Sequence, residues 1–201
     1  MSIDIPVPSG KLRRMDKRAE NIVDAAFRVF SRYGVKRTTM NDIAAEAGLV
    51  RQTLYNVFEN KDEILRATIR LYSERAVAAV EADCARATNL GEKLDSVFRH
   101  MVVKPYEMLH AAPHTDEVLI GLKTVAKSEI EASEARHRAL FEEILEPHAN
   151  AIEAAGMTVP GLADIVQKTW GSLKVDVDSK KRLMALLAGL KIMVLAVAEP
   201  G

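Results

Sequence analysis

A run of polar side chains between residues 50 and 57 has the chemistry to recognise the edges of base pairs. Donors, acceptors and an aromatic ring follow one another at Arg51, Gln52, Thr53, Tyr55 and Asn56. On a short helix these side chains form a mixed polar surface that suits the major groove of DNA. The alternative is a small three-helix bundle whose outer surface is simply polar.

Short helices have to position that surface, and the sequence marks where they begin and end. A first helix is predicted over about 15–33, because an apolar face at helical spacing ends at Gly34. Thr39 is a good N-cap, and Asp42 follows near the positive end of the second helix. The apolar face of the first helix consists of Ile22, Val23, Ala26, Phe27 and Phe30.

The second helix ends at Gly48, and a third is predicted from about Val50 to Phe58. Two short helices joined by a tight turn that contains glycine form a helix-turn-helix. Ala44 is small where the two helices approach each other. The residues predicted to pack against the first helix are Ile43, Leu49, Leu54 and Phe58.

The composition favours an all-α chain, since glycine and proline together make only 17 of 201 residues and ten residues are aromatic. The net charge is zero, but its distribution is uneven. Residues 1–61 carry eleven basic and seven acidic side chains, a balance of +4, which leaves −4 for residues 62–201. A basic front on an acidic body is typical of a chain with one polyanion-binding module.

Several classes of protein are excluded by composition. The single cysteine, Cys84, rules out an intrachain disulfide and a zinc–thiolate cluster, and an inert small hydrophobe is expected there, with a redox sensor as the alternative. The N-terminus lacks the pattern of a secretory signal. The most apolar stretch, residues 183–198, is too short to span a membrane and contains Lys191. We therefore expect a cytoplasmic protein with no membrane association, no cofactor and no metal.

Three ordered segments carry a longer pattern: TTMNDIAAEAGL over 38–49, RQTLY over 51–55 and FENKDEIL over 58–65. Together they resemble the N-terminal signature of TetR-type bacterial transcriptional regulators. The resemblance covers about residues 15–65. It implies a flexible basic arm (1–14), a helix-turn-helix DNA-binding domain (15–60) and a helical effector-binding and dimerisation domain (61–201), about nine helices in all.

The resemblance implies sequence-specific binding to a palindromic operator in double-stranded DNA. Arg51 and Gln52 have the chemistry for bidentate contacts to guanine and adenine, respectively. Thr39, Tyr55 and Lys61 would contact the phosphate backbone. The full set of implied DNA-binding residues is Arg13, Arg14, Lys17, Arg18, Thr38, Thr39, Met40, Arg51, Gln52, Thr53, Tyr55, Asn56 and Lys61.

Three positions depart from the family pattern. Val50 stands where a capping serine is common, which removes an N-cap worth on the order of 1 kcal/mol from the third helix. Gln52 replaces a small residue, and Val57 replaces an aromatic residue or histidine. Gln52 and Asn56 therefore argue against borrowing an operator sequence from a relative.

The body after Lys61 is predicted to contain a helix to about Thr88 and then helices over roughly 92–110, 114–127, 128–155, 160–174 and 178–198. Pro105 and Pro147 should kink or split theirs. The resemblance implies an effector pocket in this part of the chain. Its candidate wall residues, for which ordinary core packing is the alternative, are Phe98, Met101, Tyr106, Met108, Phe141 and Trp170. Its candidate polar anchors are His100, His110 and His137; Pro113 argues against a metal pair of His110 with His114.

The last helix is apolar nearly all round, which indicates either burial within one subunit or a subunit interface. The resemblance favours a two-fold interface built from the last two helices, with Leu183, Leu186, Leu187, Leu190 and Val194. The leading hypothesis is a homodimeric repressor released from its operator by a small molecule. The alternatives are an activator, an effector-independent or nucleoid-type DNA-binding protein, and an enzyme, for which no catalytic motif is present.

Overall fold

The computed structural model describes residues 16–111 and 125–200, and every regular element in these ranges is helical, which confirms the predicted all-α class. The first four helices are α1 (Lys17–Tyr33), α2 (Met40–Glu46), α3 (Arg51–Tyr55) and α4 (Lys61–Cys84). The remaining elements are α5 (Leu90–Phe98), a π-helical turn (Arg99–Val103), α6 (Lys104–His110), α7 (Lys127–Leu145), a 3-10 turn (Glu146–His148), α8 (Ala149–Ala154), α9 (Val159–Asp176) and α10 (Lys180–Ala198). The helix expected over 114–127 falls largely outside the described residues.

The predicted apolar face of α1 forms one side of the first core, the buried cluster shared by α1 to α4. Ile22, Val23, Ala26 and Phe30 are buried against residues of α2, α3 and α4. The helix starts two residues later than predicted, because the Asp16 carboxylate caps it by accepting the Ala19 amide at 2.7 Å.

Reciprocal hydrogen bonds open α2 where the sequence predicted. The Thr39 side chain accepts the Asp42 amide, and the Asp42 carboxylate accepts the Thr39 amide at 2.8 Å, a complete capping box. Gly48 follows α2 with a φ of 69°, a left-handed conformation that costs glycine little. The turn is closed by the Leu49 amide, which donates to the Ala44 carbonyl at 2.8 Å.

The start of α4 has an N-cap without the reciprocal bond of a capping box. Asn60 accepts the Glu63 amide at 2.9 Å, as an N-cap should. The Glu63 carboxylate instead accepts the amide of Glu59, one residue before the cap, at 2.8 Å. The helix ends at Cys84, four residues earlier than expected, and Asn89 then caps α5.

A second core fills the body. Trp170 lies between two rings, with its centroid 5.3 Å from Phe141 and 6.3 Å from Phe98, both in edge-on arrangements. Both prolines interrupt their helices as predicted: Pro147 lies in the 3-10 turn, and Pro105 enters α6 directly after the π-helical turn. None of the helices among the described residues has the length and apolar character to cross a membrane.

The prediction for α10 needs correction. Leu183, Leu187, Leu190 and Val194 are buried in the core of their own subunit, so they do not form an exposed surface. They occupy one side of the helix, which packs on α5, α8 and α9. Of the five residues assigned to the subunit interface, Leu186 alone is exposed, at 41%.

Candidate nucleic-acid interface

The exposed face of α3 presents four polar side chains, those of Arg51, Gln52, Tyr55 and Asn56. The Arg51 guanidinium donates to the Tyr55 hydroxyl at 3.3 Å and lies 5.2 Å from the centre of its ring. The Gln52 amide donates to the Asn56 carbonyl oxygen at 3.2 Å. Both pairs are one helical turn apart, so they hold the four polar ends together on one surface.

The opposite side of α3 anchors the helix. Leu54 is fully buried and Phe58, just beyond the helix, is 6% exposed, both in the core that α1 and α2 share. Thr53 lies between the two faces and is half-buried. Val50 occupies the N-cap position without a side-chain hydrogen bond, as its residue type predicted. A helix of only five residues is thus held by tertiary packing more than by its own caps.

Thr39 is exposed at the start of α2, close in sequence to the surface that α3 presents. Its hydroxyl donates to the Asp42 carboxylate at 2.7 Å, and these bonds from Thr39 lower the pKa of Asp42. The carboxylate therefore stays ionised and keeps the capping box closed at neutral pH.

Two neighbours of Thr39 are less available than expected. Thr38 is 2% exposed, and its hydroxyl donates to the Gly34 carbonyl at 2.8 Å, so its side chain stabilises the turn and is not presented at the surface. Met40 is half-buried and packs against the first core. The burial of Thr38 and Met40 was not predicted, because both belong to the same motif as Thr39 and a motif does not show which side chains point inward.

Lys61 also differs from the expectation of a direct phosphate contact. Its ammonium donates to the carbonyls of Val35 at 2.6 Å, Thr38 at 2.8 Å and Lys36 at 3.3 Å. All three N–H groups are used within the protein, so Lys61 joins the start of α4 to the turn before α2.

The basic residues at the front of the chain fall into four groups. Arg13 and Arg14 lie outside the described residues, whereas Lys17 and Arg18 are exposed in the first turn of α1. Arg28 and Arg32 both approach the Glu46 carboxylate, at 2.6 and 3.6 Å. Sequence reasoning assigned no DNA contact to Lys36 and Arg37, which are exposed in the turn before the α2 cap; their nearness in sequence to Thr39 was the available signal.

A cavity of about 490 Å³ lies in the body, and its lining differs from the expected one. Met101 and Met108 line it, but Phe98, Tyr106, Phe141 and Trp170 do not. Phe98, Tyr106 and Phe141 are buried in the second core. Trp170 is also part of that core and lines an adjoining cleft. The cavity wall is built mainly from α1, α4, α6 and α7, with Phe27 and Phe30 of α1 among its residues.

The three histidines proposed as anchors have separate positions. His137 lines the cavity and its Nε2 lies 3.0 Å from the Ser73 hydroxyl on α4. His100 also lines it, held by a 3.0 Å contact with Asp83. His110 stacks on Tyr106 with ring centres 3.8 Å apart. His114 is outside the described residues, among which no cluster of three metal-ligating side chains occurs.

Two helices, α1 and α4, connect the cavity to the DNA-facing part. The Arg75 guanidinium of α4 donates to both carboxylate oxygens of Asp24 on α1, at 2.6 and 3.0 Å. One turn away, the Tyr72 ring lies 4.8 Å from the Phe27 ring. An ion pair and a ring contact therefore join α4 to α1, whose buried face shares the first core with α2 and α3.

An exposed short helix, packed on two others across a glycine turn, defines the helix-turn-helix class of DNA-binding proteins. Residues 22–68 match the family model described as bacterial regulatory proteins, tetR family. The helix-turn-helix segment therefore matches that of the TetR family of bacterial transcriptional regulators, DNA-binding proteins to which the chain is similar.

Similar proteins extend the likeness beyond that segment. The transcriptional regulator TtgR of Pseudomonas putida is 27% identical over 186 residues, which are 89% of this chain and 78% of TtgR. A fatty acid metabolism regulator protein of Bacillus subtilis is 26% identical over 132 residues, 66% of this chain. That match spans 62% of the Bacillus subtilis protein, less than two thirds of its length.

The solved structure of the fatty acid degradation regulator FadR from Bacillus halodurans has the same fold. Its TM-score is 0.68 at 20% sequence identity, and the match covers 91% of this chain and 97% of that one. At this identity the likeness concerns the fold alone.

Proposed function

We propose that this protein is a homodimeric repressor that binds a palindromic operator and is released from it by a small molecule. Residues 15–60 would form the DNA-binding domain, residues 61–201 the effector and dimer domain, and residues 1–14 an arm along the DNA. The observation that carries the proposal is the exposed α3 surface of Arg51, Gln52, Tyr55 and Asn56 on a helix-turn-helix scaffold.

The polar side chains of α3 would make two kinds of contact, to bases and to phosphates. Arg51 is suited to the two acceptors of guanine, and Gln52 to the acceptor and donor of adenine. Tyr55 and Thr53 would donate to phosphates, as would Thr39 and the amides at the start of α2. The hydrogen bonds within α3 are each 3.2 Å or longer, so bases can replace them at little cost.

The dimer surface that we propose is the side of α9 and α10 that faces away from the core. Large apolar side chains are exposed there: Ile165 at 54%, Met184 at 49%, Leu186 at 41%, Ile192 at 67% and Met193 at 59%. Small residues lie among them, at Ala185, Ala188 and Gly189, so two helices can approach closely. A two-fold pairing of this surface would set two α3 helices about one DNA turn apart, ~34 Å.

Release would follow from a ligand in the cavity that prefers a conformation with a different spacing of the two α3 helices. The Arg75–Asp24 and Tyr72–Phe27 contacts give the route from α4 to α1. An activator or an effector-independent regulator would have the same DNA-binding face, since DNA binding does not set the sign of regulation.

Fluorescence anisotropy with DNA from upstream of the gene tests the proposal. The protein should bind one fragment at least 10³-fold more tightly than random DNA at physiological salt. Arg51→Ala should lose discrimination at one base position, about 1–3 kcal/mol, while Arg138→Ala in the body should not. Equal affinity for specific and random DNA would reject the proposal, and in vitro transcription from the bound fragment separates repressor from activator.

A further inference from the structure

The cavity has an uneven distribution of charge. Its lining contains three basic side chains, Arg75, Lys104 and Lys174, against the single carboxylate of Glu134. Between the charged groups the wall is apolar, with Leu65, Ile69, Met101, Pro105 and Met108. Such a lining favours a ligand that is largely apolar and carries a negative charge.

Two of the three cations already have partners. Arg75 is held by both carboxylate oxygens of Asp24, and the Lys104 ammonium lies 3.2 Å from Nδ1 of His100. Lys174 differs, because no carboxylate of the described residues lies within ion-pair distance of its ammonium. Glu134 acts on it only from farther away, and burial lowers the pKa of Lys174. A cation that is largely removed from water without a close anion is stabilised by any ligand that supplies one.

The position of Lys174 indicates which end of the cavity is polar. Lys174, His137 and Glu134 line both the cavity and a second cleft between α7 and α9. These three residues therefore mark the place where the cavity meets the cleft. Phe27 and Phe30 of α1 belong to the cavity alone.

We propose that the cavity binds an amphipathic carboxylate, with its acid group on Lys174 and its apolar chain directed toward α1. The Ser73 hydroxyl and His137 complete the polar end with further hydrogen bonds. Since Ser73 lies on α4 and Phe27 and Phe30 lie on α1, one ligand contacts both helices that link the cavity to α3. This assignment of ligand class rests on the proposed effector function.

Binding to the full-length protein can be followed with its single tryptophan, because Trp170 lies one helical turn before Lys174. The probes are decanoate, decanol and decyltrimethylammonium below their micelle concentrations. Decanoate should bind at least ten-fold more tightly than either of the others, since an ion pair with hydrogen bonds is available to it alone. Equal affinity for the three, a preference for the cation, or no binding of decanoate overturns the proposal.

Substitutions of Lys174 and Glu134, with opposite expected effects on decanoate affinity, test the placement of the acid group. Lys174→Met should weaken decanoate binding about ten-fold or more and leave decanol binding unchanged. Lys174→Arg keeps the positive charge and should bind decanoate about as tightly as the parent chain. Glu134→Gln should strengthen decanoate binding several-fold, because it removes the carboxylate that competes for Lys174. Lys127→Met on the exposed side of α7 is the matched control. Decanoate affinity that is unaffected by Lys174→Met assigns the acid group elsewhere and overturns the proposal.

The failure of this inference can be told apart from failure of the regulator itself. If specific DNA binding is present and decanoate does not bind, the ligand class is wrong and the repressor proposal stands. If decanoate binds through Lys174 but leaves the anisotropy of the operator complex unchanged, the site is correct and the release mechanism fails.

Discussion

The ammonium of Lys61 donates to the Val35 carbonyl at 2.6 Å, across 26 residues of sequence. With its further bonds to Lys36 and Thr38, this contact fastens the first turn of α4 to the loop that precedes α2. The side chain expected to neutralise a phosphate is thus a brace that sets the position of the α2 N-terminus relative to α4. We therefore expect its contribution to DNA binding to be indirect.

Replacement of Lys61 by methionine should lower the free energy of unfolding by about 1–3 kcal/mol, because partly buried carbonyls of the turn lose a charged donor. The dependence of DNA affinity on salt should keep its slope, since no phosphate contact is removed. Arg18→Ala, which removes an exposed charge at the start of α1, should instead reduce that slope by about 1 with little effect on stability. A slope reduced equally by both substitutions would show that Lys61 leaves the turn and contacts phosphate.

Val50→Ser should stabilise the protein by about 1 kcal/mol, because a serine hydroxyl can accept an amide in the first turn of α3 that no side chain now accepts. Val50 is 70% exposed, so little apolar burial is lost in the exchange. Val50→Ala is the control, as it shortens the side chain without providing a cap. Thermal unfolding compares the variants, and equal midpoints for serine and alanine would count against a missing cap.

Stability should fall as the pH is lowered from 6.5 toward 4, through the titration of His137. Burial, with the positive charges of Lys174 and Arg136, lowers the pKa of His137 from 6.5 to about 4 in the folded chain. Because the unfolded chain binds this proton at a higher pH, the neutral ring contributes its full stability above 6.5. That contribution is lost as the pH falls to the folded value, in total about 3 kcal/mol.

His137→Gln isolates this contribution, since glutamine can still hydrogen-bond Ser73 but does not titrate. Urea unfolding between pH 7 and 4 should give a shallower decline for the variant than for the parent chain, by up to 1.4 kcal/mol per pH unit for one proton. His148→Gln, at a half-buried site beside the Glu199 carboxylate, is the control. Parallel declines for His137→Gln and the parent would mean that another group is responsible.

The exposed side of α10 predicts which substitutions separate the subunits. Ile192→Glu places a charge on the proposed interface and should convert the proposed dimer to a folded monomer in sedimentation experiments, with unchanged helical circular dichroism. Ala139→Glu on the exposed side of α7 should leave the dimer intact. Leu187→Ala, in the core of one subunit, should instead cost about 2–5 kcal/mol of stability. A dimer that survives Ile192→Glu excludes this surface.

Much of the fold follows from short stretches of sequence. The caps at Thr39 and Asn60 and the helix ends at Gly34 and Gly48 depend on hydrogen bonds and backbone angles within a few residues. Such interactions are available to the local chain whatever the rest of the protein does. For the same reason the sequence predicted the polar face of α3 and the absence of a cap at Val50.

Tertiary structure alone decided which side of each apolar helix faces its own core. Residues 183–198 are apolar around most of the circumference, so periodicity could not distinguish Leu187, which is buried, from Ile192, which is exposed. The direction of Lys61 and the pairing of Ser73 with His137, 64 residues apart, likewise depend on how α1, α4 and α7 pack. Local sequence determined the starts of α2 and α4 and the ends of α1 and α2, whereas the cavity and its charges arose from contacts between residues distant in sequence.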